Sequence, residues 1–171
     1  NLSGSQIGGS LNCTGAIFDG GKTSDGQQLV SLDAASITVA DGVTLVDLTA
    51  TGTVDLNGAK IAGQLLFKGA TLEGAGTKAL SCQFTRVGAD FQFRGVKSVN
   101  GRVDLASAHV SGLVDDLHSW GDGQLIFDGF TYDRITGDAA PKSFSSRKSW
   151  LKKGAWVKTR FYPQPYTQFA K

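Results

Sequence analysis

A short apolar pattern recurs about every eleven residues along most of this chain. In its clearest form, an apolar pair two residues apart is followed by a glycine-containing corner and a second such pair, as in Val54, Leu56, Ala59 and Ile61. A spacing of two puts both side chains of a pair on one face of extended backbone, whereas a helix needs apolar spacings of three and four. The pattern therefore predicts short strands that meet at corners, which is typical of a solenoid.

The repeat can be followed from residue 11 to residue 132. Its copies occupy residues 11–18, 30–37, 43–50, 54–61, 65–72, 80–87, 91–96, 103–110 and 125–132, with a degenerate copy at 113–117. Two copies make about 22 residues, a common length for one coil of a β-helix. Because parallel β-connections are right-handed in nearly all proteins, we predict an all-β, right-handed parallel β-helix. A pentapeptide-type solenoid with about 20 residues per coil is the alternative cross-section.

The composition agrees with a single corner-rich β domain. The 171 residues include 23 Gly and 3 Pro, and 40% are hydrophobic, which argues against both disorder and collagen. No apolar run approaches the roughly 18 residues that a membrane-spanning helix requires. Because the chain opens almost inside a repeat, with neither an initiator Met nor a signal peptide, we expect a fragment of a larger protein.

The two cysteines hold equivalent inward positions of the repeat. Cys13 and Cys82 lie five copies apart, which places them more than two rungs, or roughly 10 Å, from each other. A disulfide needs Cα atoms within about 7 Å. We therefore predict two buried, unpaired thiols, which suit a reducing compartment.

Charge divides the chain into two segments. Residues 1–138 contain all 15 acidic residues and nine of the 17 Lys and Arg, whereas residues 139–171 contain eight cations and no acid. We predict a β-helix over 1–138 and a basic, aromatic, short helical or irregular C-terminal cap over 139–171. Such a cap would cover the last rung, whose open edge would otherwise pair with another chain. Ser145 or Ser146 is the predicted helix N-cap, and Gly154 is the predicted helix end.

The predicted cap carries the candidate interaction surface. Trp150 and Leu151 are expected to face inward, while the cations around them stay in water and attract an acidic partner or an anionic membrane surface. The candidate surface residues are Arg147, Lys148, Lys152, Lys153, Trp156, Lys158 and Arg160. Basic charge alone would also permit nucleic acid binding. The chain contains no known recognition module, however, so nucleic acid is not an expected partner.

Few residue groups in the sequence suggest chemistry. Residues 74–79 match the Gly-x-Gly-x-x-Ala form of a dinucleotide loop. That loop needs a helix directly after it, and the residues that follow keep strand alternation, so a plain turn is favoured. A candidate acidic or metal-binding corner is formed by Asp115, Asp116, His118 and Asp122. A solvated loop in a degenerate copy is the favoured interpretation of that corner.

A polysaccharide-cleaving enzyme is the catalytic alternative that a β-helix raises. Such enzymes gather carboxylates or basic residues along one outward face. Among the outward positions between the first apolar pairs, Asp55 and Asp104 are the only acids. They lie four copies apart, which is roughly 10 Å along the rungs. No paired-carboxylate cleft is predicted, so we expect no catalytic residue, metal or cofactor.

Several motifs resemble a bacterial Gly-Ala-repeat solenoid family. They are residues 7–16, 57–65 and 128–132 together with the C-terminal motif Pro163-Gln164-Pro165-Tyr166-Thr167-Gln168-Phe169-Ala170. Members of this family are often described as membrane-associated or as oxidoreductases, and usually continue beyond a motif that has Glu in place of Thr167. The resemblance implies that any membrane-spanning portion lies beyond Lys171. No catalytic motif accompanies the oxidoreductase description.

The sequence therefore predicts a non-catalytic structural or interaction module, a scaffold, of a larger bacterial protein, with membrane association as an option. The alternatives are a polysaccharide-active β-helix enzyme, part of an oxidoreductase, and a self-associating β-helix assembly protein. The expected partners are another protein, the rest of its own chain, an anionic membrane surface, or a second copy bound end to end. The expected location is the bacterial cytoplasm or the cytoplasmic face of the membrane.

Overall fold

The computed structural model describes residues 1–27, 29–122, 124–138, 140, 143, 145–148 and 150, with the backbone alone at 75–77. Within these residues the chain forms sixteen strands, most of them short. They are β1 (Gln6–Ile7), β2 (Leu11–Asn12), β3 (Ile17–Asp19), β4 (Val30–Asp33), β5 (Thr38–Val39), β6 (Val43–Thr44), β7 (Thr49–Thr51), β8 (Thr53–Asp55), β9 (Lys60–Ile61), β10 (Leu65–Leu66), β11 (Thr71–Ser81), β12 (Arg86–Phe93), β13 (Ser98–Asp104), β14 (His109–Asp115), β15 (Leu125–Ile126) and β16 (Thr131–Thr136).

The strands stack in four columns, and every pairing between the described strands is parallel. The first column contains β1, β5, β9 and the first halves of β12, β14 and β16. The second column contains β2, β6, β10 and the second halves of the same three long strands. The third contains β3, β7 and the starts of β11 and β13, and the fourth contains β4, β8, β15 and the ends of β11 and β13. The fold is thus the predicted right-handed parallel β-helix.

The coil length follows the predicted repeat wherever no extra residues intrude. Strands β5 and β9 pair at a spacing of 22 residues, and so do the first halves of β14 and β16. The spacing between β1 and β5 is 32 residues, because a loop separates β3 from β4. The spacing between β9 and β12 is 26 residues, because β11 bulges between Glu73 and Lys78. Insertions therefore lengthen single coils without breaking the register.

The repeat residues fill the interior of the coil. Every apolar repeat residue of copies 43–50, 54–61, 65–72, 80–87, 103–110 and 125–132 is buried, as predicted. Ala59 and Ala70 are completely buried, which confirms their inward assignment. The residues of copy 11–18 are only partly buried, because their coil lies at the end of the stack.

One copy of the repeat was assigned two residues too early. Val30 is 46% exposed, and the residues that pack inside are Leu32, Ala34, Ile37 and Val39. Both assignments satisfy the spacing of apolar residues within the copy. Only the pairing of Leu32 with Val54 distinguishes them, because it aligns this copy with the next coil. The loop between β3 and β4 had hidden that alignment.

Left-handed backbone recurs at two corners of the coil. At the corner that joins the fourth column to the first, it occurs at Gly4, Ser36, Gly58, Phe84, Ser107 and Gly129. Glycine adopts this conformation without steric cost, whereas a bulky side chain rarely does. Side-chain carboxylates also support this corner, since Asn57 N donates to Asp55 Oδ1 at 2.9 Å. Phe84 is the exception in this series of small residues.

A short helix that includes residues 145–148 and 150 covers the last coil. The helix N-cap is Ser143 rather than the predicted Ser145 or Ser146, because Ser146 N donates to Ser143 Oγ at 3.3 Å. Trp150 is buried, with its ring centroid 4.1 Å from that of Phe127. Lys148 is exposed, so the predicted inward and outward positions of these two residues are confirmed. Leu151 and Gly154 lie outside the described residues.

Candidate functional site

One residue of the predicted interaction surface lies in the interior of the protein. The Arg147 side chain is 0% exposed, so the prediction that Arg147 is a surface cation is wrong. Its Nη1 donates to Asp115 Oδ2 at 2.7 Å and its Nη2 to Asp115 Oδ1 at 2.6 Å. Lys148 does lie on the surface. The other predicted surface residues, Lys152, Lys153, Trp156, Lys158 and Arg160, lie outside the described residues.

The partner of Arg147 occupies a core position of the repeat. Asp115 is in register with Phe93 on the preceding coil, so a carboxylate replaces an aromatic ring inside the β-helix. Trp120 Nε1 also donates to Asp115 Oδ2 at 2.8 Å, and the guanidinium of Arg147 lies 4.9 Å from the ring centroid of Trp150. A buried charge is tolerated when it is paired and hydrogen-bonded. The pair therefore ties the terminal helix to one specific place on the last coils.

The predicted acidic corner is divided between different environments. Asp115 points inward, whereas Asp116 Oδ2 accepts hydrogen bonds from Gly95 N at 2.7 Å and Ser119 Oγ at 2.8 Å. Burial tends to raise the pKa of Asp116, but the hydrogen bonds outweigh burial and hold the pKa below its usual value. Asp116 therefore shapes its own loop.

The remaining two residues of that corner line an open cleft. His118 and Asp122 are exposed and border a cleft of about 530 Å³, together with Lys97 and Asn100. Within the part of the chain that the structure describes, no three His, Cys, Asp or Glu side chains converge in a way that could hold a metal ion. His118 and Asp122 thus lie in a solvated loop as favoured, whereas Asp115 ends β14 and is buried.

The dinucleotide-like motif at 74–79 lies inside a strand. Residues 71–81 form β11, and its register shifts between Glu73 and Lys78 where it pairs with β13. A dinucleotide loop presents phosphate to the N-terminus of a following helix, and β12 follows here instead. The motif is a bulge within a strand rather than the plain turn that was favoured.

Both cysteines are unpaired, as predicted. Cys82 is buried, as predicted, whereas Cys13 is only half-buried because its coil lies at the end of the stack. Burial raises the pKa of both thiols, and the negative charges of Asp55 and Asp104 raise that of Cys82 further. A thiol with a raised pKa is a weak nucleophile. Cys82 therefore serves as a core residue.

The outward acids of the fourth column form a longer series than predicted. Asp55 and Asp104 both pair with Ser81, which confirms their separation of two rungs. Asp33 joins the series through its pairing with Asp55, because the repeat in its copy is shifted by two residues. Asp104 is 2% exposed and lies 3.2 Å from Lys78 Nζ. The series forms a line of carboxylates along one face.

These carboxylates are engaged in holding the corner. Asp33 Oδ1 accepts from Ala35 N at 3.3 Å, and Asp104 Oδ1 accepts from Ala106 N at 3.2 Å. Gln83 Nε2 donates to Asp104 Oδ2 at 2.5 Å. Aspartate commonly stabilises a turn by accepting from the backbone two residues on. The acidic series is thus explained by the turns that it supports.

Cations face outward in the first column, beside the exceptional corner residue. Arg86 pairs with Lys60 on one side and with His109 on the other. His109 is half-buried, with Nδ1 2.9 Å from Thr131 Oγ1. Lys60 and Arg86 are exposed, and Phe84, two residues before Arg86, is 65% exposed with φ of 58°. We call Phe84, Lys60 and Arg86 the corner patch. Sequence inspection missed the patch, although the repeat puts Phe84 at the corner of copy 80–87, where copy 54–61 has Gly58.

The chain matches no protein-family model, and no curated protein or solved structure matches it. The resemblance to a Gly-Ala-repeat family therefore stays a prediction. None of the helical segments among the described residues is long and apolar enough to cross a membrane.

Proposed function

We propose that this β-helix is a non-catalytic interaction module, a scaffold of a larger bacterial protein. The observation that carries the proposal is Phe84 in the corner patch. A left-handed backbone costs a bulky residue on the order of 1–3 kcal/mol, and exposing its ring forgoes the gain from burial. The equivalent corners of other coils carry Gly, which avoids both costs, or Ser, which exposes no aromatic ring. A residue that the fold does not require is well explained by a binding role.

Regular pairing makes the fold a suitable scaffold. Each coil hydrogen-bonds to its neighbours through four columns of strands, so outward side chains repeat at the strand spacing of about 4.8 Å. Such a rod holds surface residues at fixed separations without requiring a cleft. A catalytic role as a polysaccharide-active enzyme or as part of an oxidoreductase is less well supported, because the outward acids are engaged in the corners and residues 74–79 lie in a strand.

The partner that we propose is another protein or the rest of its own chain. An anionic membrane surface near the basic tail remains a further proposal, to which exposed Lys148 contributes one charge. We place the protein in the bacterial cytoplasm or at the cytoplasmic face of the membrane. The two unpaired cysteines support a reducing compartment of this kind.

Self-association is the second candidate function, and the first coil favours it. Leu2, Ile7, Leu11 and Phe18 of the first coil are only partly buried, and Ile17 is 78% exposed on the outer face beside them. An open edge with apolar residues is a template for pairing with another chain. A second copy could cover this edge by end-to-end contact.

Site-specific photo-crosslinking in bacteria tests the interaction module. A photo-reactive phenylalanine analogue replaces Phe84, and in a control protein it replaces exposed Lys22 in the loop before β4. We expect adducts with a discrete partner from position 84 but not from position 22. Equal, diffuse labelling from both positions, or none from position 84, would contradict the proposal.

A further inference from the structure

We propose that the corner patch binds an acidic protein segment that presents an apolar side chain next to carboxylates. This inference rests on the proposed function and specifies the chemistry of the partner. The patch supplies the opposite arrangement, an aromatic ring next to two cations. Complementary charge selects the partner and orients it, while the ring provides an anchor that excludes water.

The three side chains lie close enough to act on one short segment. Phe84 and Arg86 are two residues apart on the same chain, and Lys60 is the register partner of Arg86 on the neighbouring coil. Paired strands lie about 4.8 Å apart, so Lys60 and Arg86 lie side by side, next to the corner that carries the ring of Phe84. An extended segment places alternate side chains roughly 6.6 Å apart on one face. An apolar residue over Phe84 would therefore place the carboxylate two residues along the segment beside Arg86, with Lys60 one strand away.

The two cations of the corner patch differ from the cations that the fold pairs with carboxylates. Elsewhere Lys78 pairs with Asp104, Lys97 with Asp47, and Arg134 with Asp90. Neither Lys60 nor Arg86 forms an ion pair with a carboxylate among the residues that the structure describes. Their charges are thus available to a partner.

The ring of Phe84 stands clear of its neighbours along the corner. The residues at the same corner of the adjacent coils are Gly58 and Ser107, which are too small to cover it. Exposed aromatic residues of this kind become hot spots when a partner's apolar group removes them from water. An acidic segment with no apolar residue would leave this contact unmade.

The surroundings favour a protein segment over a polysaccharide or a nucleic acid. Sugar recognition uses amide side chains beside the aromatic ring, but here Asn57 Oδ1 accepts from Ser81 Oγ at 2.8 Å and Gln83 Nε2 is bound to Asp104. The segment 1–138 has six more acidic than basic residues. A densely charged polyanion would be repelled by that body, whereas a segment with few carboxylates would meet mainly Lys60 and Arg86.

Fluorescence anisotropy with a defined peptide tests the inference on the 171-residue chain. The probe is a labelled Ser-Glu-Ser-Glu-Ser-Leu-Ser-Glu-Ser-Glu-Ser peptide, and the matched probe has Ser in place of Leu. We expect the Leu probe to bind about tenfold more tightly than the Ser probe, because only Leu can contact Phe84. Binding of both probes should weaken as salt is raised.

Variants assign each part of the effect to a residue. Phe84→Ser should abolish the preference for the Leu probe, and Ser36 and Ser107 show that serine suits this corner, so a melting temperature no lower than that of the parent is the folding control. Lys60→Ser with Arg86→Ser should weaken both probes about tenfold and remove most of the salt dependence. Lys68→Ser with Arg94→Ser removes the same charge from another exposed site and should leave binding unchanged.

Three outcomes would overturn the inference. The first is equal binding of the Leu and Ser probes, which would show simple charge attraction. The second is an equal loss of binding in the Lys68 and Arg94 double variant. The third is polygalacturonate that binds more tightly than the Leu probe and depends on Phe84, which would show a carbohydrate site. If crosslinks from position 84 persist in any of these cases, the interaction module stands while the acidic segment is rejected.

Discussion

The first and last coils of the β-helix differ in how their apolar residues are covered. At the first coil Leu11 and Phe18 are half-buried and Ile17 is exposed. At the last coil Phe127 and Phe130 are buried, and Trp150 of the terminal helix packs against Phe127. Because a solenoid coil buries its apolar face only against a neighbour, its end needs a cover of another kind. Here a helix provides that cover at the last coil.

The cover of the last coil is specified by charge as well as by apolar contact. Asp115 occupies the core position that Phe93 holds one coil earlier, and among the described residues Arg147 is the cation that pairs with it. Aromatic contacts alone would tolerate several ways of docking a helix. A buried carboxylate permits few docking positions of the helix, since any position that leaves the carboxylate unpaired is costly in free energy. The described residues of the first coil include no buried carboxylate, so charge does not specify what covers that end.

Removing the terminal helix should make the two ends alike, and it should have the largest effect. Truncation after Ala140 deletes Arg147 and Trp150, which leaves Asp115 unpaired and Phe127 uncovered. We expect a loss of at least about 3–5 kcal/mol in the free energy of unfolding, with concentration-dependent association. Urea denaturation and light scattering measure the two effects. A truncated chain that stays monomeric and fully stable would show that the helix is not a cap.

Arg147→Met should separate the charge from the apolar cover. The helix keeps Trp150, but Asp115 remains buried without its partner, which typically costs about 3–5 kcal/mol. Lys148→Met, on the exposed side of the same helix, is the control and should change stability by less than about 0.5 kcal/mol. The same denaturation assay compares the two variants.

A double variant sharpens this test. Asp115→Leu combined with Arg147→Met replaces the ion pair by apolar side chains, which is often neutral or stabilising. We expect it to recover most of the stability that Arg147→Met loses. If the double variant is no more stable than the single one, the loss comes from the packing of Arg147 rather than from an unpaired carboxylate.

Equivalent alanines should respond differently in the middle and at the open end. Ala70 is completely buried, whereas Ala16 holds the same repeat position in the half-buried first coil. Ala70→Phe should overpack its coil and cost roughly 1–3 kcal/mol, and Ala16→Phe should cost clearly less because the first coil can expand toward solvent. Thermal melts of both variants provide the measurement. Equal losses would mean that the first coil is as tightly packed as the middle.

The smallest effect is expected for the exposed residue of the first coil. Ile17 is in register with Thr49 in the third column, so Ile17→Thr extends a polar row that already exists. We expect a change below about 0.5 kcal/mol in stability. If the first coil mediates self-association, the same change should weaken it, which sedimentation velocity would detect. Unaltered association would place that contact elsewhere.

The repeat alone determined much of this protein. The spacing of two within each copy and the step of eleven between copies predicted a parallel β-helix, the buried positions of Ala59 and Ala70, and two unpaired cysteines. These features are local or strictly periodic, so each copy provides the same information as its neighbours. The glycines at Gly58 and Gly69 likewise marked corners at which the backbone is left-handed.

The tertiary structure decided what the repeat leaves ambiguous. The copy at 30–37 could be placed in two ways, and only its pairing with the next coil chose between them. Asp115 and Arg147 lie 32 residues apart in different kinds of structure, so neither shows its partner in the local pattern. Phe84 holds the corner position of its copy, as Gly58 does, but only the structure shows that its ring is exposed and its backbone left-handed. Long-range pairing and backbone strain depend on the position of a residue in the assembled coil, and a one-dimensional pattern does not contain that position.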